Sequence, residues 1–347
     1  MRKHMTSFIQ SFGLARLIIL GFFLFLCASA IMFKLDFAEL LSSSLVRIGM
    51  NGVLVLAMVP AISSGIGPNF GVSLGILTGL VGALIAIELR LNGYMAFVGA
   101  ILFSLPFAAI VGYGYGWLLN RVKGSEMMLA TFVGFSAVSV MKIGWLLLPF
   151  KSPEMAWPIG RGVRVTIALD NRQLSQLLNN TWSFNIGSVV IPTGLLLFFL
   201  LCCGAVWLFM RSKTGAAMYA AGDNPRFAEA AGINVDKHRM IGTMVSTILG
   251  AVGIIVYAQG FGFLQLYEGP MFMPFVAVAA ILIGGASVKR ASIAHVLIGT
   301  FLFQAILVVA MPVANVFTAD MASMAEISRI IIQNGIIIYA LTQTGGE

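Results

Sequence analysis

An all-α, polytopic bundle of membrane-spanning helices is the fold class this sequence predicts, and three observations predict it. Of its 347 residues, 59% are hydrophobic and only 10% charged, and the mean hydropathy is +0.97; soluble domains carry about 25% charged residues. The apolar residues fall into runs long enough for a bilayer core, which takes about 20 residues of helix. The basic residues gather in short segments between those runs. A single transmembrane domain over 1–347 is the expectation.

In chain order the apolar runs are about 16–33, 45–64, 72–88, 95–119, 127–148, 188–209, 238–258, 272–287, 292–311 and 324–342, about ten spans. The opening MRKHMTSFIQSFGLAR has the flavour of a signal peptide. It lacks a small-residue cleavage site followed by a soluble mature domain, so an uncleaved first span with a cytoplasmic N-terminus is expected. Alternating from there puts Arg2, Lys3, Arg16, Arg121, Lys123, Arg211, Lys213, Arg226, Lys237, Arg239, Lys289 and Arg290 inside. Outside are Lys34, Arg90, Lys151, Arg161, Arg164 and Arg172, four of them in one long loop. Every short basic loop then lies on one side, as the positive-inside rule requires. Both termini are cytoplasmic on this count. The largest cytoplasmic loop is 210–237. The largest periplasmic loop is 149–187, amphipathic, rich in Asn and Gln, with room for a short helix at the membrane surface. Ten spans divide into five plus five, and an odd number per half makes an inverted repeat.

Composition also excludes function classes. The net charge of +8 is scattered through loops and gathers on no single surface, so it is no nucleic-acid footprint. Cys27, Cys202 and Cys203 all lie in apolar segments and read as small packing residues. The histidines (His4, His238, His295) are far apart, and no metal-ligand spacing occurs, so no metal site and no catalytic residue is expected. Carboxylates do not line the spans. Ion-driven carriers need ionisable or clustered polar groups at mid-depth, so energy is expected to enter through a partner. Lys142 is the deepest basic residue, about six positions from its helix end; it either snorkels outward or faces a pathway. Glu326 and Arg329 can pair at i,i+3.

Two places look discontinuous. Ala61-Ile-Ser-Ser-Gly-Ile-Gly-Pro-Asn-Phe-Gly71, with Pro60 before it, cannot continue a regular helix. It has cytoplasmic parity yet carries no charge, so it is expected within the bilayer, covered by protein or by a water-filled cavity. There Ser63, Ser64 and Asn69 either contact a polar solute or satisfy the freed backbone. The second is Leu282-Ile-Gly-Gly-Ala-Ser-Val-Lys-Arg-Ala-Ser292, where Gly284 and Gly285 end a helix. It reads as a tight turn, a second partner contact or a hinge beside a pathway. Gly75, Gly79 and Gly82, with Gly112, Gly114 and Gly116, have the small-residue spacing of packed membrane helices.

The most informative stretch is Met210–Arg239, polar and Gly/Ala-rich amid hydrocarbon. Asn224 suits a helix cap and Pro225 the first turn. Residues 226–231 then form about two turns that Gly232 stops. Phe227, Ala228 and Ala231 give this helix a small apolar surface for a partner's groove.

This loop resembles the permease subunits of bacterial ABC importers, in the family that serves ribose and other simple sugars, autoinducer-2, nucleosides and branched-chain amino acids. The likeness rests on Thr214-Gly215, Ala221-Gly222-Asp223-Asn224-Pro225, Ala228, Ala230-Ala231-Gly232-Ile233 and Val235. Ala280-Ile-Leu-Ile-Gly-Gly-Ala-Ser287 and Lys123-Gly-Ser-Glu-Met-Met-Leu-Ala-Thr131 resemble two further family segments, and the likeness runs from about residue 45 onward. It departs at Ser64-Gly-Ile-Gly-Pro-Asn-Phe-Gly71, which lacks the family's aspartate, and at Val288-Lys-Arg-Ala291; both leave the solute open.

The resemblance implies a permease of the bacterial inner membrane for a simple sugar or sugar-like solute, with nucleosides or autoinducers as the alternative. It implies that Thr214, Gly215, Gly222, Asp223, Asn224, Pro225, Ala228, Ala231, Gly232 and Ile233 couple to a cytoplasmic ATPase. The pathway would include Ser63, Ser64, Asn69, Phe70, Thr131, Gly284 and Gly285. Expected partners are that ATPase, a second permease of the same or related sequence, and a periplasmic or lipid-anchored solute-binding protein. The chain holds no phosphate-cradling loop, so ATP-Mg belongs to the ATPase and this chain binds no cofactor. Phe261, Phe263 and Tyr267 either stack on a solute or form an interfacial belt. A secondary carrier driven by an ion gradient is the rival of another class.

Overall fold

The computed structural model describes residues 14–156, 162–169, 174–317, 330, 331, 333–335, 337 and 338. Helix α1 is Leu14–Met32. Asp36 then accepts hydrogen bonds from the N–H groups of Ala38 (2.9 Å) and Glu39 (3.3 Å), so α2 starts at Phe37, well before the 45–64 run, and continues to Leu56. Such caps satisfy donors that a helix start leaves orphaned. Helix α3 is Met58–Ser63, and a 3-10 turn at Phe70–Val72 leads into α4, Ser73–Glu88. Helices α5 (Gly93–Arg121) and α6 (Glu126–Leu147) follow. After the short α7 (Leu177–Asn180) come α8 (Thr193–Arg211), α9 (Lys213–Asp223) and α10 (Pro225–Ala230). Helices α11 (Val235–Phe261), α12 (Gly269–Ile283) and α13 (Ile293–Phe317) complete the order.

Among the described residues, seven helical stretches are long and apolar enough to cross a membrane: Phe37–Ser63, Phe70–Glu88, Gly93–Arg121, Glu126–Leu147, Thr193–Arg211, Val235–Phe261 and Ile293–Ala314. Two shorter apolar helices, Ile18–Met32 and Gly269–Ile283, coincide with the first and eighth expected runs. The 324–342 run falls mostly outside the described residues, as do Arg2, Lys3, His4, Arg161, Arg172, Glu326 and Arg329. Residues 330, 331, 333–335, 337 and 338 are helical.

The chain is not wholly helical. The 149–187 segment and its neighbours supply two short antiparallel pairs. Strand β1 (Thr166–Ala168) pairs with β4 (Phe263–Gln265), and β2 (Phe184–Ile186) with β3 (Val189–Ile191). The β2–β3 hairpin uses residues expected in the sixth span and moves the start of α8 to Thr193. The segment is fastened to the helix ends. Glu88 accepts from the N–H groups of Lys151 and Ser152, and the indole of Trp145 donates to the Leu266 carbonyl (3.2 Å). Gln259, fully buried on α11, accepts from the N–H of Leu178 at the start of α7 (3.0 Å). Beside it, the Phe261 and Phe263 rings pack at a tilt of 53° with centroids 4.2 Å apart.

Helix α11 is the hub, packed against α2, α3, α4, α5 and α9. In lipid, helices gain little from hiding apolar surface, so close backbone approach through small residues drives packing. A Cβ on Gly75 would stand 2.2 Å from the Thr247 carbonyl, one on Gly79 2.4 Å from that of Ala251, and one on Gly112 3.0 Å from the Met244 Cα. Gly82 packs instead on α5, 2.4 Å from the Ala100 carbonyl, and Gly116 lies on Met240. Gly114 is the exception to the expected pattern. Two residues from Gly112 and Gly116, it points to the other side of α5, where a Cβ meets nothing within 4 Å. Helices α12 and α13 cross through a reciprocal pair, with Gly284 against the His295 carbonyl and Gly299 against that of Ala280.

Gly299→Ala is expected to lower the thermal stability of the detergent-purified protein by about 1–3 kcal/mol, the usual penalty of overpacking. Gly114→Ala should leave it unchanged or slightly raised. Equal melting temperatures for the two variants would contradict the packing.

Candidate functional site

The motifs singled out in the sequence meet at one end of α11. Asn224 ends α9 and caps α10: its Oδ1 accepts from the Phe227 N–H at 3.1 Å. Pro225 occupies the first turn, which lacks a partner for its N–H in any case. Gly232, at φ +80°, stops α10, and its N–H donates to the Glu229 carbonyl (3.0 Å) while Ile233 donates to Ala228 (2.9 Å). That is the closure in which a left-handed residue returns the chain onto the last turn. The apolar contact such closures carry is here a small separate core of Ala221, Ala228 and Val235, with Ala220 and Ile233 packed on it.

This arrangement divides the expected coupling residues between the loop's own core and its exposed face. Ala228 is fully buried and holds the loop's own core, so its side chain lies beneath the exposed surface expected of it. The outward residues of α10 and its flanks are Asp223, Asn224, Pro225, Arg226, Phe227, Glu229, Ala230, Ala231 and Gly232. Phe227 is 68% exposed. Gly215 is buried against Met210, and Thr214 is half-buried. Gly222 faces the first helix break: a Cβ there would stand 2.4 Å from the Ser63 carbonyl and 2.8 Å from the Gly65 nitrogen. The loop therefore lies directly on the break.

The break, Ser64–Asn69, is irregular backbone turned by Gly65 (φ +81°) and Gly67 (φ +84°), which glycine adopts without steric cost. Its covering is Arg239, in the second turn of α11 and almost fully buried. The guanidinium donates to the Gly65 carbonyl (3.2 Å) and to Asn120 Oδ1 (3.2 Å), and forms a salt bridge with Glu126 at the start of α6. The Glu126 side chain is mostly covered, at 13% exposure. Seven residues further along α11, about 10 Å by helical rise, Ser246 Oγ accepts from Asn69 Nδ2 (2.9 Å). Asn69 Oδ1 accepts from the Gly71 N–H and the Tyr115 hydroxyl. The break thus slants inward along α11 from Arg239 to Ser246. Its lack of charge has a cause: its cation arrives from another helix.

Ser64 donates to the Ala61 carbonyl (3.0 Å), and Asn69 is fully engaged, so both serve the freed backbone. Ser63 Oγ is buried without a hydrogen-bond partner. Phe70 joins an aromatic chain, 5.2 Å from Phe275, which is 5.9 Å from Phe135. Thr131, one turn before Phe135, bonds its own helix at the Met127 carbonyl. This chain lies beside α6, whose membrane-length window is only 17% buried, against 83% for Phe70–Glu88. Half-buried Lys142 and exposed Ser136 and Ser139 also sit on α6. The second discontinuity is a turn: Ser287 Oγ accepts from the N–H groups of Lys289 and Arg290. It touches both other motifs, since Val288 lies under Gly67 and Arg290 reaches Asp223 of the loop at 3.2 Å.

Arg239 and Glu126 are the residues that sequence reasoning missed, having counted one as a topogenic charge and the other as part of a motif. A signal was present. Arg239 lies on one helical stripe with Gly242, Thr243, Ser246 and Gly250, and a cation on a small-residue packing stripe needs a buried anion.

A family model described as branched-chain amino acid transport system / permease component matches residues 40–341. Curated relatives include proteins named autoinducer 2 import system permease protein LsrC. That of Enterobacter sp. (strain 638) is 27% identical over 255 residues, 72% of this chain and 65% of the relative. That of Yersinia pseudotuberculosis serotype O:3 (strain YPIII) is 26% identical over 261 residues, 73% of this chain and 66% of the relative. The matched region thus spans just under two thirds of these relatives. No solved structure matches.

Removing one partner of a buried ion pair leaves the other uncompensated, at about 3–5 kcal/mol. Arg239→Gln is therefore expected to destabilise strongly in detergent thermal unfolding. Glu126→Gln should cost less, because the amide still accepts from the guanidinium, which keeps Gly65 and Asn120. A reversed order would show that the pair does not hold this end together.

Proposed function

The chain belongs to the branched-chain amino acid transport system permease-component family, and we propose that it is the membrane subunit of an ATP-driven importer for a sugar-like solute. It is a multi-pass membrane protein and a transport subunit, not an enzyme. The observation that carries the mechanism is the seating of the 210–237 loop on the first helix break, with Gly222 against Ser63 and Gly65. A force on α10 is delivered through its small core to α9, and from α9 to the backbone of the break. Arg239 ties the same backbone to α6 and α5. Load on the loop then tilts the helices beside α6. A partner that binds the loop more tightly in one arrangement shifts the population toward it, which is the thermodynamic requirement for coupling.

In this reading the loop is cytoplasmic and receives an ATPase through its outward residues Asp223, Asn224, Pro225, Phe227, Ala231 and Gly232. The ATPase holds ATP-Mg, and the 149–187 segment faces a solute-binding protein in the periplasm. Both termini are cytoplasmic, and the topology is ten spans in two inverted halves of five. A second permease covers the open face of α6, and the two subunits enclose a path past Phe70, Thr131 and Ser63. The relatives' names favour an autoinducer-2-like solute within the sugar-like class.

The test is purification of the complex from its native membrane, then transport and ATP hydrolysis in vesicles. Gly222→Ala, which pushes the loop off the break, is expected to keep membrane insertion and ATPase association while lowering uptake per ATP hydrolysed at least tenfold. Asn224→Ala removes a cap contributing about 1 kcal/mol and should act in the same direction, more weakly. Uptake in ATP-free vesicles driven by an ion gradient would establish the secondary carrier instead.

A further inference from the structure

A groove of about 380 Å³ lies between α5 and the start of α11, on the loop side of the bundle and outside the packed core. Its outer wall is Tyr113 and Trp117, 56% and 49% exposed, and its rim carries Arg121 and Lys237. The Arg121 guanidinium lies over the Trp117 ring, 4.1 Å from its centroid. The groove also contains Asp236, whose carboxylate is already paired with Lys123 at 2.7 Å. Asn120 in the floor is spent, donating to the Asp236 carbonyl and accepting from Arg239. Two exposed cations without a carboxylate partner among the described residues therefore face a site whose own anion is compensated.

The level of this groove is marked independently. At the loop-side end of α8, Arg211 stacks over Trp207 at 4.0 Å with the same i,i+4 spacing as Arg121 and Trp117. Tryptophan favours the boundary between headgroups and hydrocarbon, and basic side chains beside it reach the headgroups. From the groove an exposed apolar stripe runs along α5 through Ile110 and Phe107, dented at Gly114, where a side chain would meet nothing. Cations at the boundary and an apolar track into the span are the two ends of one amphipathic ligand.

We propose that this groove binds an anionic phospholipid of the loop-side leaflet, its phosphate between Arg121 and Lys237 and an acyl chain along Tyr113, Ile110 and Phe107. Basic pockets between membrane helices are suited to such headgroups. The site is one residue from the Arg239 network through Asn120, so an occupying lipid braces α5 against α11 where the loop meets the break. It does not depend on which solute is carried, nor on the importer reading.

The experiment is native mass spectrometry of the full-length permease released from micelles containing equal phosphatidylglycerol and phosphatidylcholine. Wild type is expected to retain phosphatidylglycerol preferentially. Neutralising Arg121→Gln or Lys237→Gln should reduce that retention about fivefold each, and both together some 25-fold, at the usual contribution of a basic residue near an anionic surface. The charge-conserving pair Arg121→Lys and Lys237→Arg should retain the lipid, which separates loss of charge from loss of fold. Lys213→Gln, outside the groove, should have no effect. Equal retention of the two lipids by wild type would overturn the proposal, as would undiminished phosphatidylglycerol on the doubly neutralised protein. Displacement of the lipid by millimolar inorganic phosphate would overturn it too, because the site would then be one for a free anion.

Discussion

The architecture depends on how closely other backbones approach α11. Among apolar helices in apolar surroundings, burial alone selects no arrangement; contact area and hydrogen bonds do. The small residues of α11 and the glycines of α4 and α5 let main chains meet at distances that any side chain would forbid. That interlock leaves α11 little freedom to slide. It also gives α11 the rigidity to present Arg239, Gly242 and Ser246 at fixed heights to a segment with no continuous helical ladder of its own.

That segment is where the demands of a broken helix in hydrocarbon are met by its own turns and by its neighbours. An interrupted helix leaves polar backbone groups that hydrocarbon cannot satisfy. Here they are satisfied by short turns of the segment itself, by the Asn69 side chain that Ser246 and Tyr115 hold in place, and by the Arg239 guanidinium. Such a joint holds its shape through a few directional bonds to neighbours and not through an internal ladder. When those neighbours shift, the joint shifts with them, whereas a continuous helix would resist. The buried pair of Arg239 and Glu126 is costly to dehydrate, and buried pairs often add little net stability. Its value here is positional, because one planar group with several donors registers α6, α5 and the break together.

Most of the helical bundle was legible in the sequence because apolar runs report helices directly. Ends were less so. The start of α2 at Asp36 is a cap signal in a stretch that hydropathy alone reads as a loop, and the β2–β3 hairpin is apolar enough to pass for the beginning of a span. The short helix with its Asn224 cap and Gly232 stop was fully readable, since local chemistry decides it. The direction each loop residue faces was not. Ala228 and Ala231 are the same residue type three apart, and only the packing of Val235 beneath the loop turns one in and leaves the other out. The meeting of Gly222 with Gly65 joins positions more than 150 residues apart, and no periodicity encodes it.

The loop divides its residues into two sets with separate duties. Gly222, Ala228, Ile233 and Val235 give it its form through contacts within this chain. Arg226, Phe227, Glu229, Ala230 and Ala231 project outward and take no part in that small core. The two sets therefore differ in what a substitution disturbs. A change in the inner set is felt by the bundle beneath it, whereas a change in the outer set alters only the face the loop presents. The outline of the loop and the chemistry of its exposed face can therefore be altered independently of each other.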